Sequence, residues 1–205
     1  MPPIRELVHR WLGRPQRFRR RDFRRRERYR PDYELLADVL LDRIDFHSVL
    51  DVGCGNGFLL RRFVAAGRRA EGIEGSEAVL AVLEPELRTH IRIADFTAAT
   101  GSWDLVCCVE VAEHIAPARS DDLVESLARV TGSTLYFTAA PPGQGGVGHI
   151  NCRPHADWLA AFEGHGLRLD AAATGGVREA LHGLARAPWL AGNGLILRRQ
   201  PTAAG

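Results

Sequence analysis

The apolar positions of this chain alternate between two spacings. Short apolar runs at His47–Asp51, Arg69–Glu74, Thr89–Ala94, Trp103–Val109, Thr134–Thr138, Leu167–Ala172 and Leu195–Arg199 read as strands. Segments of helical period lie between them: Tyr33–Ile44, Phe58–Ala66, Ser76–Leu83, Ser120–Val130, His155–Gly164 and a stretch near Val177–Ala187. Ser76 is placed as an N-cap. WDLVCCV, residues 103–109, is almost continuously apolar, as a strand covered on both faces must be. Strands alternating with helices predict an α/β fold, a mostly parallel sheet with helices on both faces. Ligands of such sheets sit beyond the strand C-termini. There the chain places Gly53–Gly57, Glu74, Asp95, Glu110–His114 and a long Gly/Pro-rich loop after Thr138.

Charge divides the chain unevenly. All 27 basic residues are arginine. Residues 1–30 hold twelve of them against Glu6, Asp22 and Glu27, whereas the rest holds fifteen against 22 acids. We therefore expect an Arg-rich arm at 1–30, one domain at 31–200 and a frayed tail at 201–205. A basic arm on an acidic body suits nucleic acid, an acidic substrate or the protein's own body; a solvated leader is the plainer alternative. No run has the length of a membrane span, and MPPIRELVHR lacks the apolar core of a secretory signal. The four cysteines have no zinc-ligand spacing and suggest no disulfide framework. A reducing cytoplasm is the expected compartment.

The densest chemical signal is VLDVGCGNGFLL, residues 49–60: a strand, a glycine turn and a helix start. Such a turn is expected to let a ligand press on bare backbone N–H groups. The dinucleotide fingerprint needs a third glycine where Phe58 stands. Asp51 ahead of the glycines would repel a pyrophosphate and suits an ammonium or a water. Glu74 follows about 20 residues after the first glycine, where an acid grips ribose hydroxyls. Asp95 is placed to accept from an adenine amino group, with Phe96 covering the ring.

These segments, with WDLVCCVEVAEHI at 103–115, resemble the class I S-adenosylmethionine-dependent methyltransferases, in particular the ubiquinone-biosynthesis O-methyltransferase branch. The resemblance spans about residues 33–170. It implies a Rossmann-like seven-stranded sheet with an antiparallel last strand and S-adenosylmethionine as methyl donor. The cofactor-binding set is then Asp51, Gly53, Cys54, Gly55, Asn56, Gly57, Glu74, Ser76, Asp95, Phe96 and Glu110.

On a helical turn Glu110 would share a face with Glu113 and His114. Two carboxylates and an imidazole at a cleft edge make a divalent-metal half-site, which His149 would extend; His155 is a competing ligand. In the resembled O-methyltransferases, and in small-RNA 3′-terminal 2′-O-methyltransferases, an E-x-x-E-H cluster is a Mg²⁺ or Mn²⁺ site. The metal candidates here are Glu110, Glu113, His114 and His149. The catalytic candidates are His114, His149 and Glu113. Alternatively Glu113 caps a helix, and His114 packs or acts as a base without metal. The loop Gly143–Asn151 reads as a lid with His149 and Asn151 as its polar points, and Trp158 is expected to line the acceptor pocket. The expected function is O-methylation of a small hydroxylated molecule, such as a sugar, a phenol or a natural-product intermediate. RNA 2′-O-methylation and cofactor binding without turnover are the alternatives. No membrane partner is expected.

Overall fold

The computed structural model describes residues 18–201. Most of the arm expected at 1–30, and the tail beyond residue 201, lie outside the described residues. Among the described residues the first elements are α1 (Arg20–Arg26) and a 3-10 turn, which passes at once into α2 (Arg30–Arg43). Then follow β1 (Ser48–Val52), α3 (Phe58–Ala65), β2 (Arg69–Glu74), β3 (Ile91–Ile93), β4 (Trp103–Val109), α4 (Ser120–Val130) and β5 (Thr131–Thr138). The C-terminal part is α5 (His155–Glu163), β6 (Leu167–Leu169), α6 (Ala171–Ala180), α7 (Trp189–Asn193) and β7 (Leu195–Arg199).

The seven strands form one sheet in the order β3-β2-β1-β4-β5-β7-β6. β1 to β5 pair in parallel, and β7 runs antiparallel to both of its neighbours. Successive strand residues point to opposite faces and so build two cores. Val49, Leu105, Cys107, Tyr136 and Ile196 meet α2, α3, α6 and α7 on one face. Leu50, Val106, Cys108, Phe137 and Leu197 meet α4 and α5 on the other. The strand order reverses between β1 and β4, opening a crevice beyond their C-terminal ends.

Three expectations need correction. The helix expected at Ser76–Leu83 is only a 3-10 turn, Glu77–Ala81, and Ser76 makes no side-chain cap. The strand expected to reach Ala172 ends at Leu169, because Asp170 accepts from the N–H of Ala173 and starts α6 there. The helical stretch near Val177–Ala187 is instead Ala171–Ala180, with α7 separate from it. The boundary expected at residue 30 coincides with no break in the structure. Phe23 is 1% exposed, and the buried carboxylate of Asp32 accepts from the N–H groups of Arg186 and Ala187, tying α2 to the C-terminal part.

Candidate active site

The turn after β1 uses its N–H groups internally. Gly53 and Cys54 both donate to the carbonyl of Ile73, at 2.7 and 3.1 Å, and Gly57 donates to Cys54. Gly55 N–H reaches Glu74 Oε2 at 3.0 Å. The expected bare N–H cradle is therefore absent at these four positions. What the glycines supply is conformation and room. Gly53 and Gly57 lie at φ +78° and +73°, and added Cβ atoms would sit 2.4 Å from Val111 and 2.9 Å from Leu87. Gly55, at φ +50°, faces the crevice, where only the Arg26 side chain comes within 4 Å of an added Cβ.

Two cavities adjoin at this turn, bordered in common by Phe18, Arg26, Gly53, Glu110 and His114. The larger, about 710 Å³, holds Glu74, Ser76, Asp95 and Phe96. Glu74 accepts from Gly55 N–H on one oxygen and from Ser76 N–H at 2.8 Å on the other. Each oxygen keeps a further acceptor position for a diol. Burial raises the Glu74 carboxyl above its usual range, against the lowering by those two N–H groups. Asp95 is more occupied than expected. Arg119 clamps it at 2.9 Å on both oxygens, and Thr97 donates to it twice. This arginine holds its carboxyl far below the ordinary carboxylate range. The Arg119 guanidinium also lies 4.4 Å over the Phe96 ring. The Ser76 hydroxyl donates to the carbonyl of Phe18 rather than facing the cavity as a binding group. The Asn56 amide donates to Phe23 and Glu27, so it fastens α1 to the turn.

The second cavity, about 440 Å³, runs from Asp51 to Glu113, His114 and His149. Burial, then the charge of Glu74, pushes the Asp51 carboxyl up to about 7. Glu110 follows β4 at φ +54°, an uncommon conformation for a side chain of this size. It is held there by the hydroxyl of Thr138 on its N–H, and by Gln144 at 3.2 Å and Asn193 at 3.0 Å on its two carboxylate oxygens. These amide partners have no local signature, because Asn193 is 83 residues away and its helix is short.

Glu113 and His114 lie on a 3-10 turn, Ala112–His114, rather than a longer helix. Glu113 is fully buried, and both of its carboxylate oxygens lack a hydrogen-bond partner among the described residues. Burial first, and Glu110 second, lift its carboxyl well above the ordinary range. Its backbone carbonyl accepts from the N–H groups of Ile150 and Asn151, which brings the Gly-rich loop over it. His149 Nε2 stands 3.9 Å from Glu113 Oε1. Ligating atoms of Glu113, His114 and His149 lie within 4.8 Å of one another. His114 Nδ1 contacts the carbonyl of Gly148 at 3.0 Å, and His149 Nδ1 that of Gln144 at 3.1 Å. A carbonyl only accepts, so both Nδ1 atoms carry the proton and Nε2 is left for the cluster. Burial lowers the His114 imidazole to about 4, so it is neutral at physiological pH.

Glu110 and His155 are not part of this group. The Glu110 carboxylate is taken by the two amides, and His155 Nε2 donates to the carbonyl of Ala139. Trp158, expected in the acceptor pocket, is fully buried against Phe137, and Trp189 lines the cavity instead. Asn151 is an anchor, donating to Ala112 and to Ser120, while Gln144, Gly145, Gly146 and Val147 reach the cavity. Cys54 is buried beside Gly72. The least legible part is α1 with Phe18. Phe18 stacks edge-on against His114 at 4.9 Å, and its segment roofs both cavities.

The sheet order, the glycine turn after β1 and the acid ending β2 have the arrangement that the resemblance to class I S-adenosylmethionine-dependent methyltransferases implies. Residues 49–133 match the family described as a methyltransferase domain. Over 149 residues, 65% of this chain, it is 31% identical to a ubiquinone biosynthesis O-methyltransferase of Aromatoleum aromaticum. The aligned region spans 58% of that relative's length. Among solved structures, magnesium protoporphyrin IX methyltransferase from Synechocystis with bound SAH superposes with a TM-score of 0.63 at 16% identity, over 94% of this chain and 93% of that one. The sugar N-methyltransferase KedS8 from Streptoalloteichus superposes with a TM-score of 0.61 at 19% identity, over 98% and 94%. At these identities the likeness is one of fold. Among the described residues no helix is long and apolar enough to cross a membrane.

Proposed function

We propose that this protein transfers the methyl group of S-adenosylmethionine to a hydroxyl of a small molecule. The observation that carries this reading is the junction of the two cavities. One is a diol-binding lobe at Glu74, and the other ends in buried Glu113, His114 and His149. The adenosine of the donor fits the larger cavity, with its ribose hydroxyls on Glu74 and its ring against Phe96. The amino-acid end fits beside Asp51 and Gly55, where an ammonium would restore the ionised form of Asp51. The sulfonium is already activated, so the protein's main task is alignment of donor and acceptor. A hydroxyl acceptor must also lose a proton; without a metal, neutral His114 has the free Nε2 to take it.

A divalent metal fits Glu113, His114 and His149. Two carboxylate oxygens without a partner among the described residues, and two imidazoles anchored through Nδ1 to carbonyls, form a donor set with its outer contacts in place. Its nitrogen content suits Mn²⁺ better than Mg²⁺. When bound, such an ion would lower the pKa of an acceptor hydroxyl. The roof formed by Phe18 and α1 favours a small acceptor over an RNA strand, since Arg25 and Arg26 of α1 lie on the protein's own cavity wall. Four free cysteines favour the cytoplasm as its compartment.

The test is transfer of labelled methyl from S-adenosylmethionine to a panel of catechols, phenols and sugars. Transfer to a hydroxyl supports the reading, and exclusive transfer to nitrogen or carbon overturns it. Chelation followed by Mn²⁺ addition should abolish and restore turnover, and His114→Ala should remove that response while leaving donor affinity within about twofold. Full turnover in chelator would leave His114 with the metal-free role.

A further inference from the structure

We propose that the acceptor carries an anionic group, a carboxylate or a phosphate, and that Arg25 and Arg28 at the cavity mouth bind it. This rests on the methyltransferase reading above and names the substrate class of the same site.

Both arginines line the cavity that ends in Glu113 and His149, and neither borders the Glu74 lobe. That separates them from Arg26, which borders both cavities and lies over Phe18. Arg25 and Arg28 are exposed, and neither makes an ion pair among the described residues. On α2 and α3 the arginines are paired: Arg30 with Glu27 and Glu84, Arg61 with Glu34 and Glu84, Arg62 with Asp38. On α1, Arg20 and Arg24 also make no ion pair among the described residues; what sets Arg25 and Arg28 apart is their place on the wall of this cavity alone.

Arg28 is also held in place. Its guanidinium lies 4.6 Å over the ring of Tyr29, which packs edge-on against Trp189 at 5.2 Å, and its carbonyl accepts from Arg186. Tyr29 and Trp189 line the same cavity, so a flat acceptor body has an aromatic wall next to a cation. The opposite end of the cavity holds the carboxyls of Glu110 and Glu113 and the imidazoles of His114 and His149. An acceptor with an anion at one end and a hydroxyl at the other is oriented by the arginines at the mouth, its hydroxyl toward these hydrogen-bonding groups. A guanidinium pairs with carboxylate or phosphate through two parallel hydrogen bonds, which adds direction to the attraction.

The experiment is calorimetric titration of the full chain saturated with S-adenosylhomocysteine. The probes are benzoate, phenyl phosphate and neutral benzamide. We expect benzoate or phenyl phosphate to bind at least about tenfold tighter than benzamide, and the better of the two identifies the anion source. The double variant Arg25→Gln/Arg28→Gln should lose that preference, keep its affinity for S-adenosylhomocysteine and melt within about two degrees of the wild type. Arg88→Gln, remote from both cavities, should behave as wild type. Equal binding of the three probes, or binding of none, overturns the proposal. So does an anion preference that survives the double substitution, or a loss of S-adenosylhomocysteine affinity that accompanies it. Failure of the wild type to bind S-adenosylhomocysteine would overturn the methyltransferase reading itself, a separately visible result.

Discussion

Replacing Asp51 by Asn should stabilise the protein while disabling it. Asp51 is 2% exposed at the C-terminal end of β1, and its carboxyl is held near 7 instead of its ordinary 3.8. The cause is burial first and the Glu74 charge second. A carboxyl whose folded pKa is raised binds its proton more tightly in the folded state. Its penalty is absent below the unfolded pKa, grows as the pH rises from about 4 to about 7, and is constant above that. At about 1.4 kcal/mol per pH unit, the full penalty is about 4 kcal/mol. The new amide loses about 1–3 kcal/mol of this through imperfect hydrogen bonding. The variant should therefore be more stable at pH 8 by about 1–3 kcal/mol, or about 2–10 °C in Tm for a chain of this size. Thermal melts of both proteins from pH 5 to pH 8 provide the assay. The stability gap should widen by about 2 kcal/mol across that range. Affinity for S-adenosylmethionine should fall at least tenfold at pH 8, since an amide offers an ammonium no charge. A gap that is flat or narrows with pH would refute the argument, as would unimpaired binding by the variant.

The remaining expectations concern backbone conformation and packing at the site. Gly53→Ala should destabilise by about 2–4 kcal/mol, combining its left-handed φ with overlap on Val111, and Val111→Ala should restore only the overlap part in thermal melts. Asn193→Ala should release Glu110 and lower kcat about tenfold or more with a smaller change in stability; equal loss of kcat and Tm would make Asn193 merely structural.

The parts of this protein that were legible in its sequence are those governed by local pattern. Trp103–Val109, Ser120–Val130 and Leu195–Arg199 carry their apolar spacing and end signals in their own residues, and the structure has the same bounds. The strand expected to start at Thr134 starts at Thr131, where Thr131 pairs with Trp103 across a register shift. Gly175 and Gly176 masked α6, which holds through the Asp170 cap and burial of Thr174 and Val177. At the site, Glu74 was legible because its distance from the turn is fixed by one strand–helix–strand unit. Arg119 on Asp95, and Gln144 and Asn193 on Glu110, join residues 24 to 83 positions apart, which no local pattern encodes. The arm's charge dominated its sequence pattern, whereas among its described residues Phe18 and Phe23 pack together and Phe23 is buried.

The central claim is tested where a methyl donor would bind, between the glycine turn and Glu74. Calorimetric titration with S-adenosylhomocysteine, run on the wild type and on Gly55→Val, tests it most directly. A Cβ at Gly55 would meet only the movable Arg26 side chain, but at φ +50° any side chain is strained, so a thermal melt accompanies the titration. The account predicts saturable binding to the wild type, no detectable binding to a variant that still folds, and no binding of NAD to either. Equal binding by Gly55→Val, or binding of NAD in place of S-adenosylhomocysteine, would contradict it.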